Sequence, residues 1–176
     1  MKKQWRVLFL AAAAAVVMST GCGNSASTQT TAATTAAEAK AEESEAAAEV
    51  TFGGNRTEED IDWQYVDGKD AVAAVGSDDV QFLDVRDDDT YAQGHLKGSL
   101  QCGLKDFERA DAQKAMYELA QTMDSSKPVY ILCYSGNKCA KTAIAVMKDA
   151  GFDTNELFII KDGAKGKDVA AALVTE

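Results

Sequence analysis

The chain has 176 residues, with 28 acidic and 18 basic side chains and a formal charge of −10 at neutral pH. Such a balance disfavours nucleic acid and anionic headgroups as partners, since either would meet a like-charged surface. The single histidine excludes the paired-histidine metal motif of helical i, i+4 spacing.

Taken in chain order, the first feature is Lys2, Lys3 and Arg6 ahead of an apolar stretch from Val7 to Met18, followed by the small residues "STG" and Cys22. Basic residues, a short apolar run and small residues follow one another as in an export signal. The run is too short for a comfortable transmembrane helix. The stretch "MSTGCGNS" resembles a bacterial lipoprotein signal, with Gly21 before the cysteine as in that family and Ser19 where an apolar residue is usual. The resemblance implies cleavage before Cys22, lipidation of Cys22 and anchoring at the outer face of the cell membrane. Removal of residues 1–21 takes away three basic and no acidic residues, deepening the formal charge from −10 to −13.

From Gly23 to Glu49 there is no Val, Ile, Leu, Met or aromatic residue. A segment of this kind cannot bury apolar surface and reads as disordered. Residues 22–56 are therefore expected to form a low-complexity tether, and residues 57–176 a single domain.

Within that domain two periodicities alternate. "DGKDAVAAVG" reads as a short helix ending at Gly76, "VQFLDVR" as a strand and "GSLQCGL" as a weaker strand. Between Phe107 and Met123, the residues Ala112, Ala115, Met116, Leu119, Ala120 and Met123 recur at helical spacing. "KPVYILC" is rich in strand formers, Ala140, Ala143, Ile144 and Met147 mark a helical face closed by Gly151, and "ELFII" is a last strand. Strands alternating with helices predict an α/β fold, a parallel sheet with helices on both faces.

Cys133 stands out because it falls where a central strand ends and "YSGNK" must turn the chain into a helix. Ligands of open α/β sheets gather at the carboxyl ends of strands. Gly136 permits the backbone angles of a sharp turn, and successive amides in such a loop form an anion-binding nest. A thiol at that focus is expected to have a lowered pKa, and the same nest suits a persulfide or a sulfur-containing oxyanion. The competing reading makes Cys133 a small buried hydrophobe.

The stretch "CYSGNKC" resembles the active-site loop of rhodanese-like sulfurtransferases, roughly Cys-x-x-Gly-x-Arg-Ser/Thr, and "FLDVRDDDTYAQGHLKGSL" resembles that family's upstream signature. The resemblance spans Ile61 to Gly166 and implies a rhodanese fold with a five-stranded parallel sheet. It also implies sulfur relay through Cys133, with Tyr134, Ser135, Gly136, Asn137, Lys138 and Cys139 as the loop. Lys138 replaces the usual Arg, keeping charge but losing the bidentate fork. Cys139 replaces Ser or Thr, Lys97 replaces Pro, a closing Trp is missing, and "KDGAKGKD" replaces a paired-glycine turn.

Asp84 and Arg86 bracket a strand end and in this family mainly support structure. His95, within "GHLKG", is expected to order a loop rather than act as a base. Lys161, Lys165 and Lys167 form a local basic cluster, either at the site mouth or on a solvated loop. Cys102 is expected in the core. Cys139 either fills the loop's base or pairs with Cys133 in a disulfide outside the cytosol.

Three functions compete. In the first, an extracytoplasmic sulfurtransferase, Cys133 takes sulfane sulfur from thiosulfate or a persulfide and passes it to cyanide or a thiol. A phosphatase or arsenate reductase resembles Cys-x5-Arg, but Cys139 stands where that arginine belongs. The third is a non-catalytic or thiol-redox, persulfide-sensing module built on Cys133 and Cys139. No metal is expected, for the cysteines include no Cys-x2-Cys pair. No cofactor is expected either, and "GAKGKD" lacks Walker spacing. A monomer is expected.

Overall fold

The computed structural model describes residues 50–56 and 58–175. The expected export signal, Cys22 and the tether up to residue 49 lie outside the described residues. No helix among the described residues is long and apolar enough to cross a membrane.

Five strands, β1 (Gln64–Val66), β2 (Gln81–Asp84), β3 (Leu100–Gln101), β4 (Val129–Leu132) and β5 (Leu157–Ile160), alternate with helices. The helices are α1 (Gly68–Ala73), α2 (Asp88–Gln93), α3 (Ala110–Ala120), α4 (Lys138–Asp149) and α5 (Lys167–Ala172). The strands pair in parallel in the order β1-β5-β4-β2-β3. The expected α/β sandwich with a five-stranded parallel sheet is therefore what the chain forms.

Strand alternation explains why β4 and β5 are almost wholly apolar and why β2 is apolar at Phe82 and Leu83. Leu83, Val85, Val129, Ile131, Leu157 and Ile159 face one side and pack with Met116, Ala143, Ile144 and Met147 of α3 and α4. Phe82, Leu132 and Ile160 face the other side and join Ala71 of α1, Leu96 and Val169 of α5. Successive side chains point to opposite faces and both faces are covered, so no position can be polar without a partner. Cys133 continues the row of Val129 and Ile131, and this register delivers its side chain to the α3/α4 face as β4 ends.

Three elements were not read from the sequence. β1 is three residues long at a sheet edge, and Tyr65 at its centre is 48% exposed. α2 has no buried residue, so it leaves no apolar period; its cap, the Asp87 carboxylate accepting from Thr90 N at 2.9 Å, is the only signal. α5 buries Val169 alone.

The N-terminal boundary also differs from the expectation. Residues 52–56, assigned to the tether on composition, are part of the domain. Gln113, fully buried on α3, accepts from Gly53 N at 2.8 Å and donates to the Gly54 and Phe107 carbonyls at 2.8 and 2.7 Å. The Phe52 ring meets Tyr117 edge-on at 5.4 Å, and Arg56 donates to Asp149 at 2.9 Å. Composition registers apolar side chains; it is blind to backbone amides captured by a buried glutamine.

Candidate active site

The loop between β4 and α4 folds back over the end of its own strand. The Cys133 sulfur accepts hydrogen bonds from Gly136 N at 3.1 Å and Asn137 N at 3.3 Å. It sits directly before the first turn of a twelve-residue helix, whose positive end adds to the two amides. Two convergent N–H donors and a helix terminus thus meet at this one sulfur. Cys133 is only 2% exposed, so the sulfur lies at the floor of the cradle. Both sequence readings thus describe it in part: it closes the core from one side and takes amides from the other.

A turn after β5 supports this loop from beneath. Asp162 and Gly163 are both left-handed, with φ of 61° and 55°. Ala164 N donates to the Cys133 carbonyl at 2.8 Å. Gly136, at φ 65°, approaches the same turn so closely that an added Cβ would lie 2.8 Å from the Ile160 oxygen. Of the two consecutive left-handed positions in "KDGAKGKD" only the second is glycine, because aspartate at the first tolerates that region better than most residues.

On the other flank the loop is clamped to the start of α2. The Tyr134 hydroxyl donates to the Asp87 carboxylate, and Asp87 N donates back to the Tyr134 oxygen at 3.0 Å. Asp87 is held well below the usual carboxylate range by the Tyr134 bond first, then by Thr90 N, with Lys105 adding its charge at 3.5 Å. Burial and the bond to Asp87 push the Tyr134 hydroxyl up. Asp87, Lys105 and Arg109 line a cleft of about 580 Å3 beside this clamp.

The remaining loop residues divide by exposure. Ser135, Asn137 and Lys138 are exposed, and the Lys138 ammonium lies over the Phe107 ring, 5.7 Å from its centre. Cys139 is half-buried against the core, where burial and then the Cys133 charge push its thiol up to about 11. Cys133, Cys139 and Cys102 are all free thiols. Cys102 packs on the core, and burial raises its thiol to about 11.

The upstream residues are brought to the neighbouring strand end. Arg86, 3% exposed, pairs with the fully buried Asp84: its Nε lies 2.9 Å from Oδ1 and its Nη2 2.5 Å from Oδ2. Arg86 Nη2 also donates to the Gly94 carbonyl at 2.7 Å, fastening the end of α2 to β2. A buried pair of this kind fixes geometry more than it adds stability. His95 stacks on Tyr91 with ring centres 4.0 Å apart, its Nδ1 lies 3.1 Å from the Tyr91 carbonyl, and its backbone pairs with Val174. Its contacts are those of a loop anchor. Lys161 pairs with Asp67 at 3.5 Å, and together with Lys167 it lines a separate cleft that also includes Asp168.

Asp87 and Gly163 were missed by the sequence reading, and different signals could have found them. Asp87 is the capping aspartate three residues before Thr90. Gly163 sits in "KDGAKGKD", the stretch noted above as a departure from the family's usual turn.

No curated protein matches the chain. Among solved structures it is similar to the rhodanese-like domain of an Anabaena sp protein, at 20% identity and a TM-score of 0.47 over 61% of this chain and 73% of that one. It is also similar to a rhodanese-related protein from Thermoplasma volcanium, at 15% identity and a TM-score of 0.48 over 65% of this chain and 100% of that one. A rhodanese-like domain protein from Staphylococcus aureus follows at 17% identity and a TM-score of 0.46, covering 58% and 89% of the two chains. The family described as "Rhodanese-like domain" matches residues 67–166, more than half of the chain and the whole stretch from α1 to the turn beneath the cradle, so this chain belongs to the rhodanese-like domain family.

Proposed function

We propose that the chain is an extracytoplasmic, membrane-tethered sulfurtransferase in which Cys133 carries sulfane sulfur as a persulfide. The observation that carries this reading is the Cys133 sulfur under the amides of Gly136 and Asn137. In the loading step the Cys133 thiolate attacks the outer sulfur of a donor such as thiosulfate, forming an S–S bond and releasing sulfite. Cyanide, or an acceptor thiolate, then attacks the outer persulfide sulfur, leaves as thiocyanate or a new persulfide, and returns the Cys133 thiolate. The attacking thiolate and the persulfide it forms are both anionic sulfur species, so the same amides serve both stages. With Lys138 drawn over Phe107, anion recognition rests on the backbone and a single point charge rather than a guanidinium fork.

The thiol-redox alternative finds less support. A Cys139 thiol raised to about 11 is a poor attacking group at neutral pH. Membrane tethering rests on the sequence of residues 1–49 alone.

Two measurements check these readings. Incubation with thiosulfate or a low-molecular-weight persulfide is expected to add one sulfur to the peptide containing Cys133, and cyanide to remove it as thiocyanate. No adduct from any donor would retire the sulfurtransferase reading. For the anchor, the whole chain expressed in a lipoprotein-competent bacterium should incorporate labelled fatty acid, and Cys22→Ala should abolish the label. Equal labelling of the two would place the lipid elsewhere.

A further inference from the structure

Resting on the sulfur-carrier reading of Cys133, a second question is what holds the cradle amides in place. The loop is short and its outer face is exposed at Ser135, Asn137 and Lys138. From beneath it is supported by the Asp162–Gly163 turn. On its flank the only side-chain tie among the described residues is the reciprocal pair between Tyr134 and Asp87. Tyr134 is the residue immediately after the nucleophile, and the amides that meet the sulfur lie two and three residues further along.

We propose that Asp87 is a positioning residue for sulfur transfer: through the Tyr134 hydroxyl it latches the cradle shut over Cys133 and restricts access to small sulfur donors. Three residues hold Asp87 in place through four contacts. Its carboxylate accepts from Thr90 N at 2.9 Å and Thr90 Oγ1 at 3.0 Å, faces Lys105 at 3.5 Å, and takes the Tyr134 hydroxyl. α2 is itself tied to the β2 end through Arg86 and the Gly94 carbonyl. The latch therefore connects the cradle loop to an element fixed by a buried ion pair. Closed, it leaves Cys133 2% exposed. A hydrogen bond to a carboxylate is among the stronger neutral-to-charged contacts, so its loss shifts an open–closed balance measurably.

The test uses the full chain and reads access to Cys133 without requiring sulfur transfer. The rates at which iodoacetamide and a bulky fluorescein maleimide modify the Cys133 peptide are measured at neutral pH, where Cys102 and Cys139 react slowly. Tyr134→Phe removes both bonds of the pair and is expected to raise the bulky-to-small rate ratio at least tenfold, since the charge-assisted bond alone accounts for about that factor. The same variant should raise KM for the sulfur donor more than it lowers kcat. Asp87→Ala, which loses the carboxylate but keeps the backbone N–H donor to Tyr134, should raise the ratio in the same direction by a smaller factor, while Asp87→Asn, which keeps an accepting oxygen, should restore most of the parent ratio. An unchanged ratio in Tyr134→Phe, or a rise there with none in Asp87→Ala, overturns the latch. If no donor loads sulfur, the sulfurtransferase reading fails while the reagent ratio still decides whether the latch exists.

Discussion

Gly163→Ala is expected to dismantle the cradle and to abolish sulfur loading at Cys133. A Cβ at this position would fall against the Cys133 carbonyl oxygen and 2.7 Å from the amide nitrogens of both Ser135 and Gly136. All three atoms are backbone, and they belong to the loop that shapes the sulfur site, so no side chain can swing aside to relieve the contact. The left-handed φ of 55° adds its own cost, about 1 kcal/mol for alanine. Relief requires the β5 turn and the β4 loop to separate, which breaks the bond from Ala164 N to the Cys133 carbonyl. Together these place the substitution in the severe tail of single changes, about 4 kcal/mol or more. For a domain of this size that corresponds to a fall in Tm of roughly 10–20 °C. Thermal unfolding and persulfide mass should change together. A variant that melts within a few degrees of the parent and loads sulfur normally would show that the turn is not seated under the cradle.

That position also shows where sequence reasoning reached and where it stopped. The strands β2, β4 and β5 were legible because parallel strands buried on both faces must be apolar at nearly every residue, and "FLDV", "VYIL" and "LFII" are. Cys133 and Gly136 were legible for a related reason: a strand end followed by a glycine turn and an amphipathic helix has few geometries. β1 and α2 were not, since neither carries a buried face long enough to set a period. The same limit hid the partners of the site. Gly163 acts through a missing Cβ, Gln113 through backbone groups sixty residues earlier, and Asp87 through one hydroxyl on a distant loop. None of these contacts leaves a trace in local composition. Lys138 is the reverse case. Its charge was legible, but its ammonium over Phe107 depends on a ring thirty-one residues upstream.

The largest functional effect is expected from Cys133→Ser, with little loss of stability. A serine hydroxyl is smaller than the thiol but can still accept from Gly136 N and Asn137 N, so the cradle keeps an acceptor and the change should cost no more than about 1 kcal/mol. Loading is a different matter. An alkoxyl oxygen does not form the S–S bond in which sulfane sulfur is carried, and neither of the other thiols among the described residues can stand in. Cys102 and Cys139 are both pushed up to about 11 by burial, leaving roughly one molecule in ten thousand as thiolate at pH 7. The expected result is an unfolding midpoint near that of the parent, no sulfur adduct on the peptides carrying positions 102, 133 and 139, and no thiocyanate from cyanide acting on them. Gly163→Ala and Cys133→Ser therefore reach the same inactive endpoint by opposite routes, one by collapsing the cradle around an intact sulfur and the other by emptying an intact cradle. Sulfur uptake by the folded serine variant would move the chemistry off position 133 and leave its two amides as structural caps of α4.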